Sequence, residues 1–224
     1  YLENLSKKLG RPLTDAEVFG FSQVNSEHCR HKIFNGTFII DGKEKPSSLF
    51  KLIKKTSAEF PNDIVSAYKD NVAFIKGPKA EQFAPKSPEK PDYYQTSDYN
   101  SVISLKAETH NFPTSICPFP GAATGIGGRI RDNLAVGRGG LLIAGTAGYS
   151  VGNLFLDNLP FRWETKVKNF VTTFKTPVEI LIDASNGASD YGNKFGEPII
   201  LGYTRSYGLW VSCNNIIQRL EYIK

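Results

Sequence analysis

Residues able to do chemistry are concentrated in two short segments of this chain. All three histidines lie in residues 26–32 and 106–111. The second segment continues into residues 121–132, where six closely spaced glycine and alanine positions lead to arginines and a carboxylate, Asp132. Backbone amides without side chains, guanidinium groups and a carboxylate are what a polyphosphate and its metal ion require. These segments form the candidate active site.

The glycine-rich residues 121–128 match neither standard phosphate-loop pattern. Two interpretations stay open: a tightly packed turn, or a loop whose backbone amides hold phosphate. Glu108 and Asp132 are hard oxygen ligands of the kind that Mg²⁺ uses when it also binds phosphates, although each is alternatively a plain surface carboxylate. On a strand, His110 would point to the same side as Glu108. Acid–base and metal roles would then lie side by side.

A zinc site built on His28, Cys29 and His31 is a weaker hypothesis, because their spacing differs from that of known structural zinc sites. Cys29 is alternatively a nucleophile with His28 or His110 as its base, or a buried inert thiol. The residue types alone leave these alternatives open.

Composition places the chain among globular proteins. Its 224 residues, 40% hydrophobic and 22% charged, suffice for one large domain or two small ones. The net charge of +5 favours anionic partners, but no block of like charges indicates nucleic acid. Three cysteines without a C-x-x-C pair predict a reducing compartment, the cytoplasm.

The most apolar stretch, residues 140–156, is interrupted by glycines and polar residues, so no membrane span is expected. The sequence contains no methionine. We therefore expect a fragment of a longer protein, or a sequence from which modified methionines were omitted.

Local patterns predict a small helical preface. Leucines at positions 2, 5 and 9 repeat at helical spacing, and Thr14 and Glu17 form a capping box for a second helix that runs toward residues 26–28. That helix would place His28 near its C-terminus. A strand over residues 37–40 should end in the turn Asp41-Gly42.

Further elements follow from the same signals. Ser48 caps a helix over residues 49–60, and a strand covers residues 72–75. Residues 77–100 carry four prolines, which predicts an excursion, a mobile flap or a plain linker. A strand over residues 102–107 would deliver Glu108 to its carboxyl end, the edge where open α/β sheets bind ligands.

The last third of the chain predicts three strands, over residues 178–182, 198–203 and 209–212. A polar, glycine-bearing loop should occupy residues 183–197. The expected fold class is therefore α/β or α+β, a mixed sheet flanked by helices and preceded by the helical preface.

Several motifs, in the same order, resemble those of the phosphoribosylformylglycinamidine synthases, also called formylglycinamide ribonucleotide amidotransferases. They are NSEHCRHK at residues 25–32, ETHNFPT at 108–114, PGAATGIGG at 120–128, IRD at 130–132 and NKFGEP at 193–198. Independent motifs in register make the resemblance specific. It corresponds to the N-terminal part of the family's synthetase region.

The resemblance implies an ATP-dependent carbon–nitrogen ligase of purine biosynthesis. Members use ATP to activate formylglycinamide ribonucleotide, and ammonia released from glutamine then displaces phosphate. Glu108 and Asp132 would bind Mg²⁺, and Thr109, Asn111 and Arg131 would hold the substrate. The implied ATP contacts are Lys106, Gly121, Ala122, Ala123, Thr124, Gly125, Gly127, Gly128, Arg131 and Asp132.

The resemblance also implies two catalytic histidines, His110 as proton acceptor and His28. The family's fold in this region is similar to the N-terminal domain of aminoimidazole ribonucleotide synthetase. We expect a helical linker-like segment at residues 1–36, an ATP-binding half-domain at 37–212 and a tail at 213–224. A second synthetase half and a glutaminase domain or subunit would be partners. Alone, the chain should be inactive and self-associate through uncovered surface.

Three residues depart from the family pattern. Phe112 replaces a histidine of many relatives, and His31 stands where small-form members have an ATP-contacting tyrosine. Arg129 stands where a glutamate is usual and would reverse a charge beside the phosphates. Arg129 favours an alternative function, a non-catalytic nucleotide-binding or scaffolding module of the same fold.

Overall fold

A computed structural model describes residues 1–26, 31–137, 139–157, 159, 161–164, 173–213 and 216–221, with the backbone alone from residue 209 onward. The chain divides into two compact units, Tyr1–Asp63 and Ile64–Lys224. Both units contain helices and strands, which makes the fold α+β. None of the described helices is long and apolar enough to span a membrane.

The first unit begins with the expected helices. Its elements are α1 (Leu2–Leu9), α2 (Asp15–Val24), α3 (Lys32–Asn35), β1 (Ile39–Ile40), β2 (Lys43–Glu44) and α4 (Leu49–Glu59). The predicted capping box is present, because Thr14 Oγ1 accepts from the Glu17 amide and the Glu17 carboxylate accepts from the Thr14 amide. Ser48 caps α4 as predicted. Helix α2 ends before residue 26, and His28 lies outside the described residues.

The start of α2 is sensitive to pH through Glu17. Hydrogen bonds from the Arg11 guanidinium, 2.7 Å away, and from the Thr14 amide lower the pKa of Glu17 from 4.5 to about 2. A carboxyl group with a lower pKa in the folded state stabilises that state above its unfolded pKa, and the stabilisation disappears as the pH falls. The capping interaction should therefore weaken between about pH 4.5 and 2.

We expect the difference in unfolding free energy between the wild type and Glu17→Gln to be largest at neutral pH and to shrink toward zero near pH 2. Urea unfolding at a series of pH values measures this difference. Glu59→Gln is the control, since Glu59 lies in an exposed ion pair with Lys55 outside any capping box. A Glu17 difference that stays constant down to pH 2 would contradict the assignment.

The second unit contains an antiparallel sheet in the order β3-β4-β5. Its strands are β3 (Ile64–Ser66), β4 (Ala73–Pro85) and β5 (Tyr94–Leu105). The expected excursion or linker at residues 77–100 is wrong, because most of it lies in the β4–β5 hairpin, paired from Ala73 with Leu105 to Pro85 with Tyr94. Pro78 falls where the register shifts, at which a missing amide hydrogen is tolerated.

Three helices and two strand pairs complete this unit. They are α5 (Asn111–Ile116), α6 (Pro118–Leu134), β6 (Gly145–Val151), α7 (Pro177–Lys194), β7 (Ile199–Ser206), β8 (Gly208–Cys213) and β9 (Ile216–Glu221). Strands β6 and β7 pair in parallel, and β8 pairs with β9 antiparallel. The predicted strands over residues 198–203 and 209–212 are therefore confirmed as β7 and β8.

The strand predicted over residues 178–182 and the loop predicted over 183–197 are wrong, because α7 covers most of both. Thr176 Oγ1 accepts from the Glu179 amide, the Glu179 carboxylate accepts from the Thr176 amide, and Pro177 occupies the first turn. Ile180, Ala184 and their neighbours at helical spacing are buried. A short apolar run has no distinctive period, so the capping box is the signal in the sequence that distinguishes this helix from a strand.

The glycine-rich residues 121–128 also lie in a helix, α6, instead of a loop. Their amides belong to the helical ladder, as the 2.8 Å bond from Gly121 N to the Cys117 carbonyl illustrates. Glycine lowers helix propensity by about 1 kcal/mol relative to alanine. Close packing offsets this: a Cβ at Gly121 would lie 2.7 Å from the Thr114 Cα, and one at Gly187 of α7 would overlap the Phe119 carbonyl.

The core of the second unit forms between α6 and α7. Its buried side chains are Ala122, Ile126, Ile130, Ala184 and Ala188, with Leu142, Tyr149, Tyr191 and Ile199 packed against them. Small residues on both helices bring their backbones together. This contact therefore determines which face of α6 is available to line a cavity.

Candidate active site

A cavity of about 460 Å³ opens in the second unit. Residues 106–111, which connect β5 to α5, form a polar wall. The other lining residues come from α5, α6, α7, β6 and β7, and they are Thr114, Ala122, Gly125, Ile126, Arg129, Thr146, Ala147, Gly148, Tyr149, Val151, Ile180, Ala188 and Tyr203. A polar wall above a largely apolar floor is typical of a small-molecule site.

Lys106 links the two carboxylates predicted to bind metal. Its Nζ lies 2.8 Å from Asp132 Oδ2 and 3.2 Å from Glu108 Oε2. Lys106 and Asp132 are mostly buried, with 12% and 13% of their side chains exposed. Burial lowers the pKa of Lys106, but the hydrogen bonds and charges of Asp132 and Glu108 raise it above its ordinary value. A protonated ammonium therefore lies between two converging carboxylates and offsets part of their charge.

His110 occupies the N-cap position of α5. Its main-chain oxygen accepts a hydrogen bond from the Thr114 hydroxyl. Nδ1 is buried and has no hydrogen-bond partner in the described part of the chain. The residue lines the cavity, so Nε2 is the ring nitrogen left to meet a bound molecule. A neutral imidazole in this position can accept a proton.

The strand alternation expected to align Glu108 with His110 does not occur, because β5 ends at Leu105. Both residues reach the cavity through the extended connection to α5. Their common location was predicted, but its geometric reason was wrong.

Arg129 is paired inside the protein. Its Nε donates to Glu197 Oε1 at 2.7 Å, a terminal nitrogen binds the same oxygen, and the other donates to the Thr146 carbonyl at 2.7 Å. Glu197 is only 2% exposed. These bonds tie α6 to β6 and to Glu197, which lies two residues before β7. The positive charge of Arg129 is therefore neutralised by Glu197.

Two residues of this region were missed by sequence reasoning. Glu197 belongs to the NKFGEP motif, but nothing local identifies Arg129, 68 positions away, as its partner. Tyr149 lines the cavity, and burial raises the pKa of its hydroxyl although the charge of Arg129 lowers it. Tyr149 is neutral at physiological pH and contributes an aromatic surface.

The structure brings together about half of the predicted site residues. Those lining the cavity are Lys106, Glu108, Thr109, His110, Asn111, Ala122 and Gly125, and Asp132 joins them through Lys106. Those outside it are Gly121, Ala123, Thr124, Gly127, Gly128 and Arg131. A helix presents one face to a cavity, and positions 125, 129 and 132 share that face of α6.

The excluded α6 residues have other contacts. Gly127 packs against the Tyr191 ring, which a Cβ would approach to 3.1 Å. The Thr124 hydroxyl donates to the Pro120 carbonyl at 2.8 Å. The side chain of Arg131 is 78% exposed. Residues 121–128 are therefore neither a free phosphate-binding loop nor a turn, but part of a helix with one face toward the cavity.

The zinc hypothesis depends on His28 and Cys29, which lie outside the described residues. Among the residues that are described, no group of three histidine, cysteine or acidic side chains is placed to hold a metal ion. His31 stacks on Phe50 with 5.0 Å between ring centroids. Phe112 is exposed and packs edge-to-face with Phe174, with 5.8 Å between the ring centroids.

Residues 1–32 match the model of the formylglycinamide ribonucleotide amidotransferase linker domain. This match lies within the segment expected to be linker-like. A solved structure, "T. maritima PurL complexed with FGAR", is similar with a TM-score of 0.38 and 24% identity, over 92% of this chain and 23% of that one.

Curated relatives named phosphoribosylformylglycinamidine synthase match almost the entire chain. The protein of Dictyostelium discoideum is 48% identical over 93% of the chain, that of Drosophila melanogaster 45% over 100%, and that of Homo sapiens 43% over 97%. The chain spans only 15–16% of the lengths of these relatives. The resemblance inferred from the motifs is confirmed, and the chain is a homologue of one segment of the phosphoribosylformylglycinamidine synthases.

Proposed function

We propose that this chain forms part of the active site of an ATP-dependent ligase of purine biosynthesis. That enzyme converts formylglycinamide ribonucleotide, ATP and glutamine-derived ammonia to formylglycinamidine ribonucleotide, ADP and phosphate. The observation that carries the proposal is the convergence of Glu108 and Asp132 on one ammonium group, in the cavity wall that also presents His110. The names of the relatives support the same activity.

The donor set suits a magnesium ion bound together with ATP. Glu108 and Asp132 supply oxygen ligands, and Mg²⁺ bound with substrate phosphates needs only one or two protein carboxylates. When bound, the ion would neutralise charge that develops on the transferring phosphoryl group. Lys106 sits between the carboxylates and would turn toward a phosphate oxygen.

The other cavity residues have complementary roles in this proposal. Thr109 and Asn111 would orient the formylglycinamide ribonucleotide by hydrogen bonds. His110 Nε2 would accept the proton that ammonia loses as it attacks. Arg131, exposed outside the cavity, would contact a part of a ligand that extends beyond it. His28 as second catalytic histidine stays a prediction.

Other parts of the longer enzyme would complete the site. We propose a second synthetase half as the structural partner, a glutaminase domain or subunit as the source of ammonia, and a fold related to aminoimidazole ribonucleotide synthetase. On this proposal the segment is inactive by itself. Cytoplasmic localisation and self-association of the isolated segment stay predictions.

The alternative of a non-catalytic module rested on Arg129. An unpaired arginine beside the phosphates would alter ATP binding, but this arginine is neutralised by Glu197. The charge of Arg129 is therefore compatible with a catalytic site, and it no longer favours the alternative.

Calorimetric titration with a non-hydrolysable ATP analogue tests the metal assignment. In the full-length protein we expect saturable binding that requires Mg²⁺, and affinity at least about tenfold weaker in Asp132→Asn, since even outer-shell partners of a metal contribute 10–100-fold. Asp190→Asn is the matched control, because Asp190 is an exposed carboxylate on α7 paired with Lys194. Unchanged Mg²⁺-dependent affinity in Asp132→Asn would refute the assignment.

A further inference from the structure

The imidazole of His110 lies directly against Gly125 of α6. A Cβ built at Gly125 would stand 2.9 Å from the His110 Cβ, 3.4 Å from its Cγ and 3.9 Å from Nδ1. The first of these distances is shorter than carbon atoms in proteins tolerate. Any side chain at position 125 must therefore displace the histidine or the helix.

The backbone of Gly125 gives no separate reason for a glycine. It lies in the middle of α6 with helical geometry, where glycine lowers helix stability by about 1 kcal/mol relative to alanine. Its amide belongs to the helical ladder and is not free to bind a phosphate. Because Gly125 has no side chain, it leaves space beside its Cα, and His110 occupies that space.

The main chain of His110 cannot easily move away. The Thr114 hydroxyl holds the His110 carbonyl, and the buried Ser115 hydroxyl donates to the Asn111 carbonyl at 2.8 Å. The Ser115 carbonyl in turn accepts from the Lys175 amide at 2.9 Å. These bonds resist movement of the main chain, and the closest contact is with the His110 Cβ. Pressure from position 125 would therefore act on this Cβ and shift the imidazole attached to it.

We propose that Gly125 is a positioning residue for His110. The missing side chain sets how deep the imidazole sits against α6, and so sets where Nε2 stands in the cavity. The inference rests on the proposed function, in which His110 accepts a proton. It gives this glycine a role different from the phosphate contact that its motif suggested.

Steady-state kinetics of Gly125→Ala in the full-length enzyme separate the two roles. We expect kcat to fall by about 100-fold, the loss typical of a 1 Å misplacement of a reacting group, while KM for ATP and for formylglycinamide ribonucleotide stay unchanged. Gly20→Ala is the matched control, since Gly20 lies in α2 and a Cβ there would meet nothing within 4 Å. Its kinetic constants should equal those of the wild type.

A double variant tests whether the effect passes through His110. His110→Gly removes every atom that a side chain at 125 would displace, so adding Gly125→Ala should leave the residual rate and the folding of that variant unchanged. If Gly125→Ala alone fails to fold while the double variant folds, the overlap with His110 is again the cause.

Three other outcomes have distinct meanings. A raised KM for ATP with unchanged kcat in Gly125→Ala would overturn the inference in favour of a nucleotide contact. A further rate loss on adding Gly125→Ala to His110→Gly would overturn it in favour of a general distortion of α6. A wild-type enzyme without ligase activity would instead refute the proposed function.

Discussion

Replacing His110 by alanine in the full-length protein should lower kcat by about 10²–10⁴-fold, the usual contribution of a positioned general base. The reason is geometric. Nδ1 is buried without a hydrogen-bond partner among the described residues, the main chain is held by Thr114, and the residue lines the cavity together with Lys106 and Glu108. Nε2 is therefore the ring nitrogen left to accept a proton. Alanine removes the proton acceptor but keeps the N-cap backbone of α5.

Binding and turnover must separate if this role is correct. Calorimetry should show the same Mg²⁺-dependent affinity for an ATP analogue in His110→Ala and in the wild type, and circular dichroism should show the same folded content. His110→Gln should be as impaired as alanine, since an amide fills the space but does not accept a proton at neutral pH. Wild-type turnover in either variant would show that His110 is not the base.

The largest effect on stability is expected at Arg129. Arg129→Ala would leave Glu197, 2% exposed, as a buried carboxylate without its partner. Breaking a buried ion pair in this way typically costs about 3–5 kcal/mol, because the remaining charge is not solvated. Urea unfolding monitored by circular dichroism measures the loss.

An exposed pair on the same unit provides the control. Lys194 and Asp190 are 2.8 Å apart on α7, with 63% and 41% of their side chains exposed. Lys194→Ala should change stability by only about 0.3–0.5 kcal/mol. Adding Glu197→Gln to Arg129→Ala should restore part of the loss, since the uncompensated charge is removed. Equal effects of Arg129→Ala and Lys194→Ala would show that burial of Glu197 is energetically unimportant.

Local signals predicted the elements whose stabilising contacts lie within a few residues. The Thr14 capping box, the Ser48 cap and the Asp41 turn act over three or four positions, and all three are present. The Thr176 capping box has the same form and was equally readable from sequence. The apolar run over residues 178–182 and the polar, glycine-bearing residues after it predicted a strand and a loop instead, and that prediction is wrong.

Elements defined by distant contacts were not predictable in this way. The prolines of residues 77–100 suggested an unpaired segment, because the partner strand that accommodates them is not visible in the local pattern. Residues 121–128 form a helix in spite of their glycines, since those glycines let α6 approach α5 and α7 closely. Propensity was overridden by packing in both cases.

By itself, the sequence determined which chemical groups this protein has, namely carboxylates, a lysine and histidines. It also determined which family the protein resembles, because the motifs are defined by the linear order of residues. Only the tertiary structure decided which of them meet. The helical period of α6 turns Gly125, Arg129 and Asp132 to one face and turns Arg131 outward. It also pairs Arg129 with Glu197, because packing removes both side chains from water and a buried charge is stable only beside an opposite one.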